Sequence, residues 1–421
     1  MEYSRRIVDD ELDQLLPYLP AIALEGAKGV GKTATASGRA AAHVDLANRR
    51  QRLVIEADPV AVTGLPEPTF IDEWQLVPEV WDVVKTSVDD RPTGGRFSLA
   101  GSAGPTKDVR IHSGAGRIVR LAVRPMVMPE RGLVAPTVSL AALLAGRPDL
   151  GGVSELRVAD YVDEILRSGF PAVRALPEQA RRAQLDSYLQ RIVDHDLEEN
   201  GARVRRPAAL TAWLTAYAAA TATTAAYTTI LNAATAGEAE KPARQTVATY
   251  REELLRLYIL DPVPAWTPAL SPLKRLGLSP KHHLVDPALA ARLLGATSAS
   301  LLRGEGETVA PDSTLLGALF ESLVTQTVRV LAQAAEASTY HLRTGDGTHE
   351  IDLVVEAADR RVLAIEVKLS DKCEDRDTRH LAWLKSQLGG RVVDAMVVNT
   401  GPVAYRRPDG VAVVPLALLG P

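Results

Sequence analysis

The chain has 421 residues, of which 46% are hydrophobic and 24% are charged, with a formal net charge of −4 and a pI near 6.1. This charge excludes a broadly basic nucleic-acid coat but leaves room for a local basic patch. The single cysteine, Cys373, excludes an intrachain disulfide and a cysteine-rich metal site. The start of the chain lacks a leader pattern, and no run reaches the roughly 18 apolar residues of a membrane span. We therefore expect a cytoplasmic protein.

The first predicted elements are a short apolar strand (AIAL), the glycine-rich sequence GAKGVGKT and an alanine-rich helix. This context and the G-x-x-x-x-G-K-T spacing are typical of a phosphate-binding loop. Gly26, Gly29 and Gly31 allow backbone N–H groups to turn toward phosphates. Lys32 is expected to reach the β- and γ-phosphates of ATP, and Thr33 to ligate Mg²⁺.

Further strands are predicted to end beside this loop, and alternating strands and helices predict a parallel sheet. In PTFIDEWQ, Asp72 fits a carboxylate that holds Mg²⁺ through water, and Glu73 fits the base that polarises the attacking water. The strand RFSLAGSA reaches Ser102, which either contacts the γ-phosphate or simply ends the strand. Arg117, after the next turn, is a candidate γ-phosphate sensor or an arginine finger acting on a second copy in a homo-oligomer.

A helical region is predicted for residues 151–298. Within it, residues 208–266 have the helix, turn, helix and extended-segment outline of a winged helix. Two interpretations stay open: Arg244 and Arg251 contact DNA from the second helix, or the module packs against the N-terminal domain. The KHH sequence at 281–283 is predicted to be structural, because no cysteine or third histidine lies nearby in the sequence.

The C-terminal sequence HEIDLVVEAADRRVLAIEVKLS predicts a β-hairpin whose apolar runs are interrupted by charged residues. With the turn centred on Asp359, Asp352 stands opposite Glu366, and Lys368 shares the face of Glu366. Two adjacent carboxylates repel each other, and a divalent cation such as Mg²⁺ would resolve the conflict. The alternative interpretation is a solvated hairpin face with exposed salt bridges.

A helix (STLLGALFESLVTQTVRVLAQAA) precedes the hairpin, and a helix (TRHLAWLKSQLG) and a strand (VVDAMVVNT) follow it, which predicts an αβββαβ core. The pattern D-x13-E-x-K resembles the active site of PD-(D/E)xK nucleases. By that resemblance Asp352, Glu366 and Glu321 would be metal ligands, with Asp352, Glu366 and Lys368 catalytic. The proline that often precedes the aspartate is absent, since the sequence reads EID.

GAKGVGKT, FIDEWQLVPEVWDVVK, RFSLAGSA and AGRIVRLAVRPMVMPE together resemble a bacterial and archaeal group of AAA-type ATPases with a C-terminal domain of unknown function. SGFPAV, YLQRIVDHDL and SPKHHLVDPALAARLL extend the resemblance over most of the chain, while Ala34 departs from the second threonine usual after the loop. The resemblance implies an α/β fold with an AAA-type P-loop domain in residues 1–150. It also implies a restriction-endonuclease-like α/β domain, which we place in residues 299–421. The winged helix predicted from the residue pattern lies between these two domains, in the helical region 151–298.

We therefore expect an ATP- and Mg²⁺-dependent protein that hydrolyses ATP slowly and couples nucleotide state to a nuclease-like domain. Its expected partner is nucleic acid, DNA more than RNA, with no membrane involved. The alternative is an ATP-dependent binding switch. In that case the nuclease-like domain is inactive and grips DNA or a protein partner.

Overall fold

A parallel five-stranded sheet forms the N-terminal part of the molecule, with strand order β5-β1-β4-β3-β2. Its strands are β1 (Ala21–Glu25), β2 (Ala42–Asp45), β3 (Thr69–Asp72), β4 (Phe97–Gly101) and β5 (Ile118–Ala122). The three inner strands are buried almost throughout, which explains their continuous apolar sequences. The predicted parallel sheet is confirmed, and the carboxyl ends of β1 and β3 lie at the same edge.

The computed structural model describes residues 3–101, 114–146, 148–197, 206–235, 244–266, 279–303 and 315–421. Helices accompany the N-terminal sheet: α1 (Ile7–Leu15), α2 (Lys32–Ser37), α3 (Arg49–Ala57) and α4 (Glu79–Asp90). A short strand, β6 (Val138–Ser139), pairs in parallel with β13 (Leu419–Gly420). The end of the chain is thereby fixed next to the segment that leaves the N-terminal sheet.

Helices make up most of the middle of the chain, as predicted, and their apolar faces share one core with α1 and the C-terminal sheet. They are α5 (Leu140–Leu144), α6 (Val158–Arg167), α7 (Pro171–Arg174), α8 (Glu178–Arg191), α9 (Pro207–Ala219), α10 (Tyr227–Ala234), α11 (Arg244–Arg256), α12 (Pro287–Leu293) and α13 (Ser298–Arg303). A π-helical turn, Ile192–Asp196, continues α8. The winged helix stays a prediction, and Arg251 lies over the Tyr227 ring of the same chain at 4.4 Å.

Two extended segments, residues 259–266 and 279–285, pair with each other through the bridges Leu260↔Leu284 and Val263↔Lys281. We call them the linking hairpin. On its other edge Ala265 bridges His341, and the backbone N–H of Trp266 donates to the His341 carbonyl at 2.6 Å. The extended sequence ILDPVPAW thus joins the C-terminal sheet instead of projecting as a free wing.

A mixed six-stranded sheet, of order β11-β12-β10-β9-β8-β7, forms the C-terminal part. Its elements are α14 (Leu315–Ala334), β7 (Ser338–Arg343), β8 (Glu350–Glu356), β9 (Val362–Val367), α15 (Asp375–Leu388), β10 (Val392–Asn399), β11 (Tyr405–Arg406) and β12 (Ala412–Pro415). The predicted αβββαβ order is confirmed. So is the hairpin register, because Leu353 pairs with Ile365 and Val354 with Ala364.

Helix α14 is the central helix of this part. It is long and apolar enough to cross a membrane, with a mean hydropathy of 1.3, but 78% of its most apolar stretch is buried inside the protein, as in a core helix. Polar contacts join it to the other parts. Gln333 donates to the carbonyl of Ala122 in β5 at 3.0 Å, and Asp261 accepts from Arg124 at 2.9 Å and faces Arg329 at 3.0 Å. Helix α14 therefore bridges both sheets.

Replacing Phe320 with alanine should destabilise the protein strongly. The ring is fully buried and meets Tyr161 of α6 edge-on at 5.4 Å between centroids. A Phe→Ala change in such a core costs about 3 to 5 kcal/mol. Urea denaturation should show a lower midpoint for Phe320→Ala, whereas Tyr405→Ala, at a 41% exposed position, should unfold like the wild type. Equal midpoints for wild type and Phe320→Ala would contradict this packing.

Candidate functional site

The predicted P-loop lies between β1 and α2, at the carboxyl edge of the parallel sheet. Gly31 caps α2 in a left-handed conformation, with φ of 106°. A Cβ atom added to Gly26 would lie 2.1 Å from the carbonyl oxygen of Val123, so a side chain there would displace the backbone. These glycines allow a tight backbone loop at the N-terminus of α2, where anions are bound favourably.

Lys32 lies inside this loop and is only 6% exposed. Its ammonium donates to the carbonyl oxygens of Gly26 at 2.7 Å and Ala27 at 2.9 Å. Burial lowers the pKa of Lys32 to about 8, although the carboxylates of Glu73 and Asp72 oppose the shift. The lysine is therefore positioned along the loop that would surround a phosphate.

Thr33 and Asp72 meet across the edge of the sheet. The Thr33 hydroxyl donates to Asp72 Oδ2 at 2.7 Å, and the Glu73 backbone N–H donates to Asp72 Oδ1 at 3.1 Å. Burial raises the pKa of Asp72, while the hydrogen bond from Thr33 opposes that shift. A hydroxyl and a carboxylate side by side are the hard oxygen donors that Mg²⁺ prefers. The residues present fit a magnesium ion bound together with a nucleotide.

Glu73 follows β3 in a left-handed conformation, with φ of 53°. This conformation is uncommon outside glycine and often occurs at functional sites. Its carboxylate accepts a hydrogen bond from Gln75 Nε2. The backbone of Glu73 thus lies directly beside the Thr33–Asp72 pair.

Two helical segments that the sequence interpretation left without a role cover the P-loop. Lys28 forms an ion pair with Asp196 of the π-helical turn at 2.7 Å, and the Tyr188 hydroxyl donates to the Lys28 carbonyl at 3.2 Å. A Cβ at Gly29 would lie 3.8 Å from the ring of Phe170. Isolated π-helical turns occur frequently at functional sites. The residues that make these contacts lie in SGFPAV and YLQRIVDHDL. The sequence could not show that they contact the P-loop, because the contacts depend on tertiary packing.

The predictions that Ser102 and Arg117 contribute to the nucleotide site have different outcomes. Ser102 lies outside the described residues. Arg117 precedes β5 at the amino edge of the sheet, since Ile118 pairs with Ala21 at the start of β1, and its guanidinium bonds Asp89 at 2.7 Å. The prediction that Arg117 senses the γ-phosphate within its own chain is therefore wrong, because parallel strands place it at the opposite edge from the P-loop. A role on a second copy stays a prediction.

In the C-terminal sheet, Asp352, Glu366 and Lys368 are brought together. Asp352 Oδ2 accepts a hydrogen bond from the backbone N–H of Val367 at 2.9 Å, and Lys368 Nζ lies 2.8 Å from Glu366 Oε1. The β7–β8 register shifts at this point, so two residues of β8 oppose His341. Such a bulge changes the direction of side chains and is common beside active sites. The alternative of a solvated hairpin face is not supported, because Glu366 and Asp352 are largely buried.

A fourth charged residue, Lys281 of the linking hairpin, enters this group. Its ammonium lies 2.8 Å from Glu321 Oε1, 2.9 Å from Asp352 Oδ1 and 3.4 Å from Glu350 Oε1, and the side chain is 1% exposed. We call Lys281, Glu321, Glu350 and Asp352, with the adjoining Glu366 and Lys368, the carboxylate cluster. Burial lowers the pKa of Lys281, but the charges of Asp352, Glu321 and Glu350 outweigh this effect and hold the pKa well above its usual value.

The pKa values of three carboxyl groups in the cluster are shifted in different directions. Burial, followed by repulsion from Asp352, raises the pKa of Glu366 to about 8 and that of Glu321 to about 7. The pKa of Asp352 is lowered: burial opposes ionisation, but the nearby Lys281 and Lys368 outweigh it. The Asp352 carboxylate therefore faces the Lys281 ammonium as a charged partner.

This arrangement does not fit the predicted metal ion while Lys281 is in place. No group of three His, Cys, Asp or Glu side chains that could hold a metal is found within the described parts of the chain. Glu321 and Asp352 instead share the Lys281 ammonium as their counter-ion. The sequence interpretation missed Lys281, although KHHLVD placed a lysine in an apolar-flanked segment. His282 bonds the Ala225 carbonyl at 2.8 Å and His283 is buried, in line with structural roles.

Three family models match successive segments of the chain. Residues 19–131 match an AAA domain, residues 158–300 match a domain of unknown function, and residues 316–419 match another domain of unknown function. The first match, together with the P-loop geometry, supports an AAA-type P-loop ATPase domain in the N-terminal part. The other two give no activity to the segments that contain the linking hairpin and the carboxylate cluster.

Two uncharacterized mycobacterial proteins are similar to most of this chain. One protein of Mycobacterium bovis and one of Mycobacterium tuberculosis are each 26% identical over 370 residues, which is 86% of this chain and 73% of theirs. The similarity therefore extends beyond the N-terminal part. It brings no established function with it.

Similar solved structures include a Walker-type ATPase of Pyrococcus abyssi, 16% identical, with a TM-score of 0.41 and coverage of 68% of this chain and 94% of that one. The replication initiator DnaA bound to AMPPCP and single-stranded DNA is 12% identical, with a TM-score of 0.25 and coverage of 58% and 85%. Both scores are below 0.5, and we base no conclusion on them. The N-terminal assignment depends on the AAA match and on the contacts among Lys32, Thr33 and Asp72.

His341, opposite the bulge, should make stability depend on pH. Burial lowers its pKa from 6.5 to about 4, so between these values the unfolded chain binds a proton that the folded chain does not. Stability therefore rises with pH across this window, by at most about 1.4 kcal/mol per pH unit for one group. His341→Gln should flatten the dependence, measured as urea midpoints from pH 4.5 to 7. The exposed control His195→Gln should not, and an unchanged slope in His341→Gln would contradict the assignment.

Proposed function

We propose that this protein binds Mg–ATP at the P-loop, hydrolyses it slowly, and uses its nucleotide state to control the C-terminal domain. The observation that carries the proposal is the 2.7 Å contact between Thr33 Oγ1 and Asp72 Oδ2. It joins the P-loop to the carboxylate that phosphoryl-transfer sites use to hold magnesium. The match of residues 19–131 to an AAA domain supports the same conclusion.

Each residue at the edge of the sheet has a distinct role in this proposal. Thr33 and Asp72 would hold Mg²⁺, which neutralises charge on the phosphates. Lys32 would exchange its hydrogen bonds to Gly26 and Ala27 for phosphate oxygens. Glu73 would accept a hydrogen bond from the attacking water and orient it. The burial that lowers the pKa of Lys32 to about 8 is offset when a phosphate anion lies beside the ammonium.

Control of the C-terminal domain would run through the segment from Lys281 to Asp286. Asp286 Oδ2 accepts from the Gly169 N–H at 2.7 Å and from the Ser168 hydroxyl at 3.1 Å, just before the Phe170 that covers the P-loop. Five residues earlier, Lys281 lies in the carboxylate cluster. A nucleotide that shifts Phe170 would act on Ser168, and through Asp286 on the linking hairpin.

We consider two candidate roles for the C-terminal domain, a nuclease and a binding switch that grips DNA or a protein partner. The grouping of Asp352, Glu366 and Lys368 on an αβββαβ sheet favours a nuclease. The Lys281 ammonium between Glu321 and Asp352 favours a binding switch without cleavage. We propose the switch, because the cation required to balance these carboxylates is already part of the protein.

Nucleotide binding and hydrolysis should be separable by mutation. Lys32→Ala removes charge-assisted hydrogen bonds to phosphate and should weaken ATP binding by about 10- to 100-fold. Glu73→Gln should bind ATP normally but release phosphate at least about 100-fold more slowly. Calorimetry and a phosphate-release assay measure the two effects, with Lys385→Ala, an exposed lysine of α15, as control. Wild-type hydrolysis by Glu73→Gln would remove Glu73 as the base.

The wild-type protein should bind nucleic acid without cutting it. Labelled single- and double-stranded DNA and RNA are incubated with Mg²⁺, with and without ATP, and analysed for both retention and cleavage. We expect salt-sensitive, nucleotide-dependent binding and intact strands. Cleavage by the wild type that Asp352→Ala abolishes would overturn the switch and establish the nuclease. Absence of any binding in all conditions would direct the proposed control toward a protein partner.

A further inference from the structure

The ammonium of Lys281 lies where the oxygen atoms of the carboxylate cluster converge. It contacts carboxylates from two separate elements, Glu321 of α14 and both Glu350 and Asp352 of β8. With 1% of the side chain exposed, it is shielded from water. A lysine that is buried this completely requires anionic partners, because desolvating an ammonium is costly.

The backbone of the linking hairpin brings this lysine to the cluster. Lys281 and Val263 exchange both backbone hydrogen bonds, each at 2.9 Å. The segment that contains Val263 in turn bridges His341, at the edge of the C-terminal sheet, through Ala265. The bulge that sets the direction of Asp352 lies directly opposite His341. Sheet pairing thus fixes the backbone from which the Lys281 side chain enters the cluster.

Once the Lys281 ammonium is removed, the cluster would have capacity for a cation of higher charge. It contains four carboxyl groups against two lysines, and Lys368 is already bonded to Glu366. The second oxygen of Glu366, Oε2, is buried and has no hydrogen-bond partner among the described residues, while the side chain is 9% exposed. An unpartnered carboxyl oxygen next to Asp352 is a ligand position that Lys281 does not use.

We propose that Lys281 is a resident cation that takes the place of a divalent metal ion, and that removing its ammonium converts Glu321, Asp352 and Glu366 into a Mg²⁺ or Mn²⁺ site. Oxygen ligands of these ions lie about 2.0 to 2.2 Å from the metal. The 2.8 and 2.9 Å contacts to Lys281 therefore need to shorten by less than about 1 Å. This inference goes beyond ATP binding and does not require it.

Metal binding by full-length protein without nucleotide tests the proposal. Mn²⁺ is titrated into wild type, Lys281→Met, Lys281→Arg and the double variant Lys281→Met/Asp352→Asn, and free Mn²⁺ is followed by electron paramagnetic resonance. Methionine retains the length of the side chain without its charge. We expect Lys281→Met to bind one Mn²⁺ at least tenfold more tightly than wild type, and the double variant to lose that gain. Lys281→Arg, which keeps a cation, should behave like the wild type.

Lys385→Met changes an exposed lysine of α15 and should bind no additional Mn²⁺. A wild type that binds Mn²⁺ through Asp352 with Lys281 in place would overturn the proposal, as would a folded Lys281→Met that binds no more than wild type. If Lys281→Met is unfolded without metal, refolding on Mn²⁺ addition, seen by circular dichroism, supports it. Failure to refold at saturating Mn²⁺ overturns it. None of these results affects the P-loop assignment.

Discussion

The buried charge of Lys281 constrains how the C-terminal half of this protein is assembled. Three carboxylates from α14 and β8 surround one ammonium from the linking hairpin, and each partner would be costly to bury alone. The hairpin must therefore remain paired with the edge of β7 for the cluster to be neutralised. In this way a single electrostatic requirement fixes the helix, the sheet and the connecting segment relative to one another.

The same connecting segment also contacts the N-terminal part. Asp286 begins α12 by accepting the Ala288 N–H at 2.8 Å, and it holds the Ser168–Gly169 turn beside the P-loop. Asp261, at the other strand of the hairpin, bonds Arg124 after β5 and Arg329 of α14, and these guanidinium groups lower its pKa to about 2 even though burial opposes the shift. The nucleotide edge and the carboxylate cluster are thus joined by ion pairs and hydrogen bonds in a low-dielectric interior, where such contacts are strong.

Several features followed from local sequence alone. The P-loop was predictable because glycine spacing, lysine and threonine act within one strand–loop–helix unit, and the structure places Lys32 and Thr33 accordingly. The hairpin register was predictable because a turn fixes the pairing of both its strands, and Leu353 opposite Ile365 agrees with it. The prediction that Arg117 senses the γ-phosphate in its own chain was wrong for a non-local reason. Its position relative to the nucleotide edge depends on the direction of β5 in the sheet, and sequence proximity to the P-loop strands was a poor guide to it.

The sequence by itself therefore determined the P-loop and the register of the β8–β9 hairpin. Only the tertiary structure decided which charges meet. Lys281 is 71 residues from Asp352 along the chain, and Lys28 is 168 residues from Asp196. Contacts at such separations carry no periodic or motif signal, because they arise when independently formed elements pack together. For this reason the carboxylates of Glu321 and Asp352, which the sequence predicted to be metal ligands, have the Lys281 ammonium as their counter-ion in the folded protein.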